Sequence, residues 1–319
     1  MKKALIYVAT VAAFMSASAV VHAQSYPNQT IKIIVPAAAG GPLDIVARAM
    51  SDKMGATLKQ SVIVENRAGA GGNIGADFVS KSAPDGYTLL LSLGSTLTIN
   101  PAIYKDLKFN LKPISILVSA TQMLVVHPSV PVKTVAEYVE WAKREQPVAY
   151  GHAGNGTPAH LVMEYFRLRA GFKTTPVAYR GSAPLITDLL SGQFKTAFGA
   201  TVGLIPQVED SRLRAIAISS DVRSPLAPNV PTIAESGYPG FRLESDFILL
   251  APGQTPDAVV ATLGKTAQKE LKEPDIVASF RKQDLRIVGS TPEFAAKRIV
   301  DETAAWAGII KEIGLKAQE

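Results

Sequence analysis

The sequence predicts a doubly wound α/β protein arranged in two lobes. Three observations carry that prediction. Short β-branched and apolar runs alternate with stretches of helical spacing at least five times along the chain. Several of those runs end in loops of Gly, Ser, Thr or Pro that open directly into a helix. No segment repeats at the roughly 20–50-residue period of a solenoid or propeller. A chain of 319 residues with 47% apolar content can bury the core that such a fold needs.

Lys2 and Lys3 precede an apolar run from Ala4 to about Val21, and Val21-His22-Ala23 places small or branched residues three and one before a cut. Residues 1–23 are therefore predicted to be a signal peptide for export, with a cut after Ala19 as the alternative. The run is short for a membrane span, and nothing charged stops transfer behind it. Removing the two lysines lowers the formal charge of +6 by two, a mild excess compatible with an anionic ligand. There is no Lys/Arg block and no aromatic ladder of the kind that binds nucleic acid. With no cysteine, disulfides, thiolate chemistry and Cys-ligated metal are excluded.

Taken in order, Ile31 to Val35 is a strand stopped by Pro36, which cannot donate to a ladder. Ala37-Ala38-Ala39-Gly40-Gly41 follows. Pro42 suits the first helical position and Asp44 complements the dipole in the first turn, with Ile45, Val46, Ala49 and Met50 as the expected buried stripe. Val62 to Asn66 is the second strand, and a glycine loop then starts a helix with Ile74, Phe78 and Val79 inward. Gly69, Gly71 and Gly75 give GxGxxxG, not the dinucleotide GxGxxG, and the acid expected about twenty residues later is missing. Thr88 to Ser92 is a strand that ends in Leu93-Gly94-Ser95-Thr96, a polar loop at the edge where open α/β sheets bind ligands.

Later strands are expected at Met123 to Pro128, Val148 to Gly151, Thr175 to Ala178, Thr196 to Gly199, Arg214 to Ser219 and Phe247 to Pro252. Thr134-Val135-Ala136-Glu137 is a capping box for a helix reaching Arg144. Thr157 is placed as an N-cap with Pro158 at the first helical position, and Ser182-Ala183-Pro184 opens another helix. The strand from Thr196 ends in the loop Ala200-Thr201-Val202-Gly203. Helices from Pro256 to Leu271, Asp275 to Gln283 and Pro292 to Ile313 close the chain.

Catalytic patterns are missing. Ser95 and Ser182 lie outside any GxSxG elbow, and His127, His152 and His160 match neither HExxH nor an i,i+4 metal pair. No glycine loop holds a close pair of acids. No catalytic residue, metal or cofactor is predicted, and a secreted hydrolase is only the runner-up.

Glu65-Asn66-Arg67 followed by Gly69-Ala70-Gly71-Gly72-Asn73-Ile74-Gly75-Ala76, and then Pro84-Asp85-Gly86-Tyr87-Thr88-Leu89, closely resembles the hallmark of the Bug receptors. These are the periplasmic solute-binding proteins of tripartite tricarboxylate transporters. The resemblance spans essentially the whole mature chain. It includes Gly40-Gly41 with Asp44, Asn100-Pro101 with Tyr104, Gly154-Asn155-Gly156-Thr157 with His160 and Glu164, Tyr179-Arg180-Gly181 with Leu189-Leu190-Ser191-Gly192, and Ala251-Pro252.

The resemblance implies a type II periplasmic binding fold, each lobe a mostly parallel sheet flanked by helices, with lobes at 24–124 plus 247–319 and at 125–246. It implies a periplasmic monomer that closes on a small organic carboxylate. The partners implied are inner-membrane transporter subunits or, alternatively, a signalling protein; nucleic acid is not among them. One carboxylate grip falls on Ala37, Ala38, Ala39, Gly40 and Gly41, with Ser92, Ser95 and Thr96 beside it. The opposing lobe offers Asn155, Gly156, Thr157, His160, Gly181, Ser182, Ala183 and Thr201. Asp44 is expected to brace its loop, because like charges repel. The candidate loops hold no Lys and only Arg180, so backbone N–H groups, hydroxyls, helix N-termini and water are expected to hold the anion. Family members often carry bulky or proline residues where this chain has three alanines, which predicts a ligand larger than a four-carbon diacid, aromatic acids included.

Overall fold

The computed structural model describes residues 26–104, 107–154, 156–179 and 182–313. The predicted signal peptide, Asn155, Arg180 and Gly181 lie outside the described residues.

Strand β1 (Ile31–Val35) pairs in parallel with β2 (Val62–Asn66) on one side and with β3 (Thr88–Leu93) on the other. Helical residues pack on both of its faces, Val46 and Met50 against Ile33 and Ala76 and Val79 against Ile34, which is why it reads as a continuous apolar run. Helix α1 (Pro42–Leu58) follows, with Gly41 as N-cap and Asp44 in its first turn. Val46 and Met50 are buried as expected, but Ile45 is 37% exposed. The buried stripe is Leu43, Val46, Ala47, Met50 and Met54, so the helix is rolled by one position from the expected face.

Helix α2 (Asn73–Ser80) is corrected in the same way: Val79 and Ala76 are buried, whereas Ile74 is 54% exposed. A Cβ at Gly75 would lie 2.8 Å from Pro36 Cβ, so the small residues of this helix press on the end of β1 and turn Ile74 outward. Phe78 lies under the Arg67 guanidinium, 3.6 Å from its ring centre.

The largest departure is β4 (Leu111–Val126), a single 16-residue strand expected from sequence to begin only at Met123. Over Leu111–Thr121 it pairs antiparallel with β9 (Glu244–Pro252), and from Gln122 onward with β7 (Thr196–Ala200). Pro113 sits at a register shift, while Ser115, Ser119 and Thr121 interrupt the apolar pattern. Distant groups satisfy them: Ser115 Oγ donates to the Ser290 carbonyl at 2.8 Å, and Thr121 Oγ1 donates to Ser220 Oγ at 3.0 Å. Their partners are invisible from local spacing.

With β5 (Val148–His152) and β6 (Thr174–Ala178), the order is β2-β1-β3-β9-β4-β7-β5-β6; β8 (Arg214–Ile218) and β10 (Leu285–Ile287) also pair with β4. Parallel strands stand at both ends, joined by the antiparallel pair β4 and β9. Strand β10 was not expected from sequence.

The remaining helices are α3 (Ser95–Thr98), α4 (Asn100–Ile103), α5 (Val135–Glu145), α6 (Pro158–Ala170), α7 (Ser182–Leu190), α8 (Thr201–Glu209), α9 (Asp257–Glu270), α10 (Pro274–Lys282) and α11 (Pro292–Ile313). On α5, Thr134 Oγ1 accepts the Glu137 N–H at 3.2 Å, but the Glu137 carboxylate takes the Lys133 N–H instead of closing a reciprocal box. Helix α8 replaces an expected loop. The loop expected over Ala200-Thr201-Val202-Gly203 is helical from Thr201 despite Pro206 inside the helix, and buried Leu204 packs over Gly199 and holds the helix on the sheet. Among the described residues no helix is long and apolar enough to cross a membrane.

Candidate ligand-binding site

The loop between β1 and α1 is locked from below. Gly40 takes φ +80°, a left-handed angle suited to glycine, whereas Gly41 is extended at φ −77°. Asp44 Oδ2 accepts the Gly40 N–H and Arg48 Nε, each at 2.9 Å, and Oδ1 accepts Asn66 Nδ2 at 3.0 Å. The Arg48 hydrogen bond, helped by those from Gly40 and Asn66, outweighs burial and holds the Asp44 carboxyl down at about 2. Asp44 is thus an ionised brace with its oxygens occupied, as its charge requires.

The loop before α6 is locked in the same register. Gly156, at φ +73°, donates its N–H to His160 Nδ1 at 3.0 Å. Burial, and then neighbouring His152, pull His160 down to about 4, so its ring is neutral and can accept. The two imidazoles stack with centres 4.3 Å apart. His160 therefore stands behind the loop, away from the cavity walls. Thr157 does occupy the N-cap position, but its hydroxyl donates to the Gly154 carbonyl at 2.6 Å and makes no cap bond.

Between these loops lies a cavity of about 320 Å³ that Ala37, Gly41, Thr157, Ser182 and Thr201 help to line. An adjoining chamber of about 240 Å³ takes in Ser92, Ser95, Thr96 and Gly156 and shares Ala37 and Thr157 with the first. A Cβ at Gly156 would come within 3.3 Å of Ile103 Cδ1, so the two halves of the chain approach closely here. Ala38, Ala39 and Gly40 are exposed on the loop's outer side, away from either wall. Ser92 Oγ donates to Thr96 Oγ1 at 3.0 Å. Ala183 falls in α7 beside Ser182.

Local reading missed the floor. Thr121 and Gln122 of β4, Ser245 and Phe247 of β9, and Asp284 before β10 all reach the wall. Their signal was the crossing strand itself, which the polar interruptions concealed.

The N-termini of α1, α6, α7 and α8 reach this cavity through Gly41 and Pro42, Thr157 and Pro158, Ser182, and Ala200 and Thr201. The first turn of each helix has N–H groups without intrahelical acceptors and carries the positive end of the dipole. Among the described residues, no Lys or Arg lines either chamber. No group of three His, Asp or Glu there is arranged to hold a metal.

Known proteins share the sequence family and the fold of this chain. The family model described as the tripartite tricarboxylate transporter family receptor matches residues 46–315. The chain belongs to that receptor family. It is 37% identical over 306 residues to Protein BugT of Bordetella pertussis (strain Tohama I), covering 94% of each chain. The structure of the periplasmic binding protein BugD is similar at 30% identity and TM-score 0.77, over 92% of this chain and 100% of that one. The R. palustris protein Rpa4515, solved with adipate, is similar at 29% identity and TM-score 0.80, with the same coverage. Family and fold are those of periplasmic solute-binding receptors, not of enzymes.

Proposed function

We propose that this receptor captures a small organic carboxylate in the cavity between its lobes, 24–124 with 247–319 on one side and 125–246 on the other. The observation that carries the reading is the convergence of four helix N-termini on a wall to which, among the described residues, no Lys or Arg contributes. A carboxylate gains hydrogen bonds and a favourable dipole there, while a cation gains neither. The R. palustris relative with adipate supports an organic acid as ligand. Three roles divide the residues around the cavity. Ala37, Gly41, Thr157, Ser182 and Thr201 meet the ligand; Ser92, Ser95, Thr96 and Gly156 shape the adjoining chamber; and Asp44 and His160 hold the loops in place.

The protein works after export, as a monomer cleaved after Ala23, and delivers its ligand to the membrane subunits of a tripartite transporter. A signalling partner would require the same capture and differ only in what docks afterwards. A thermal-shift screen against mono-, di- and tricarboxylates, aromatic ones included, tests the reading. A binder at 100 times its dissociation constant adds about 2.7 kcal/mol of stability. If every acid leaves the melting temperature unchanged and an ester is turned over instead, the hydrolase reading takes its place.

A further inference from the structure

Apolar and polar side chains are placed differently around the main cavity. Leu93, Ala120, Ala153, Ile186 and Val202 line it and are half-buried, so apolar surface from both halves of the chain stays open there. The three alanines after Pro36 do not supply this surface, since of them only Ala37 reaches the cavity. The polar side chains on the same wall are turned into the protein. Thr121 Oγ1 donates to Ser220 Oγ at 3.0 Å, and Thr157 Oγ1 donates to the Gly154 carbonyl at 2.6 Å. Thr201 is 1% exposed, and its hydroxyl is shared between the Thr121 carbonyl, at 3.3 Å, and the Asp284 carboxyl. Ser224 Oγ donates to Asp284 Oδ1, and both Asp284 Oδ2 and Ser245 Oγ are closed to water. Gln283 Nε2 donates to the Ser279 carbonyl at 3.4 Å. Among the described residues this leaves a ligand the helix N-termini, Ser182 and the buried Gln122 amide, groups for a carboxylate head and not for a hydroxylated body.

We infer that the ligand is an acid with an unsubstituted aliphatic or aromatic skeleton, and not a hydroxy acid, sugar acid or amino acid. This rests on the carboxylate reading above and adds the chemistry of the rest of the molecule. The carboxylate goes to the helix N-termini, and the skeleton lies on Leu93, Ile186 and Val202, where each buried methylene tightens binding about fourfold. A hydroxyl on that skeleton gives up its water for a wall whose polar atoms are already engaged, which weakens binding about tenfold for each one buried. An ammonium fares no better, because Asp284, the acid on this wall, is closed off.

Calorimetry on pairs of acids that share a skeleton and a charge tests this: hexanoate with gluconate, cyclohexanecarboxylate with quinate, and adipate with galactarate. The unsubstituted acid of at least one pair should bind measurably, and wherever it binds it should be about a hundredfold or more tighter than its hydroxylated partner. Along acetate, butyrate and hexanoate, affinity should rise about fourfold per methylene. Ile186→Thr keeps a β-branched side chain and puts a hydroxyl on the wall, so the preference within a pair should shrink severalfold. An Ile186 that only supports the fold would change stability and leave the preference alone. If a hydroxylated acid binds as tightly as its partner, or if affinity is flat along the alkanoates, the inference is overturned while carboxylate capture stands. If hexanol binds as tightly as hexanoate, carboxylate capture fails and takes the inference with it. If none of these acids binds, the inference is overturned, and carboxylate capture falls too once the broader screen also fails. The wild-type pairs decide the matter even if the variant does not fold.

Discussion

Two glycine loops face the cavity, and they are built alike yet charged differently. Gly40-Gly41-Pro42 and Gly156-Thr157-Pro158 each lead into a helix, and in each the first glycine donates its N–H to the side chain four residues on. In one loop the acceptor is an ionised carboxylate tied to Arg48 and Asn66; in the other it is a neutral imidazole stacked on a second one. A loop that must present N–H groups to an anion needs its shape fixed from behind, and either acceptor does this. The carboxylate fixes its loop over a wide pH range, whereas the imidazole does so only while unprotonated.

Removing the first brace should have the larger effect on stability. Asp44→Ala leaves three donors without their charged acceptor, and a loss near the top of about 1.5–3 kcal/mol is expected in urea unfolding. His160→Leu removes one neutral acceptor and should cost about 0.5–1.5 kcal/mol. Equal losses would mean that the braces do not differ as described.

Acid should separate them further. The His160 pKa lies below its unfolded value, so its stabilising contribution is complete above about 6.5 and is lost as pH falls toward about 4. The Asp44 contribution is present above its unfolded value of 3.8 and is lost only as pH falls toward about 2. Buried Asp246 and half-buried Glu302, both pushed up to about 7 chiefly by desolvation, contribute the opposite slope, because their protonated forms favour the fold. The comparison to measure is therefore wild type against His160→Leu. Their stability difference should narrow between pH 7 and pH 4.5, and a constant difference would remove the imidazole from the brace (~pH 6.5 to 4 being the decisive window).

The smallest expected change in stability comes from Gly41→Val. Its φ of −77° accepts a side chain, and a Cβ there would lie 3.4 Å from the Ala38 carbonyl oxygen. We expect a cost of about 1 kcal/mol or less, from the poorer N-cap residue. Ligand binding should nevertheless fall at least tenfold, since the side chain stands where the carboxylate must approach. Gly156→Val makes the contrast: at φ +73°, with Ile103 beside it, it should lose both binding and stability.

The sequence was most legible where structure and spacing coincide locally. The strand Ile31–Val35, the Gly-Gly-Pro turn and the bracing role of Asp44 could all be read within some fifteen residues. What escaped depends on partners far along the chain. Ser115 and Thr121 look like interruptions until Ser290 and Ser220 meet them across the fold, and so the first part of β4 stayed hidden. The cavity floor was hidden with it, because Gln122, Ser245 and Asp284 come together only through the pairing of β4 with β9 and β10. Ile45 and Ile74 were misplaced for a related reason: apolar spacing gives a helix its period, but close packing against Pro36 and the sheet chooses the face.

The most direct measurement of the central claim takes the tightest-binding acid of the screen and compares it with its methyl ester by calorimetry. Esterification removes the charge and leaves donors at the helix N-termini facing a poorer acceptor. At about 1–3 kcal/mol for each unsatisfied buried group, the ester should bind at least tenfold more weakly than the acid. An ester that binds as tightly as the acid would contradict the account, because the helix N-termini would then not be what holds the ligand.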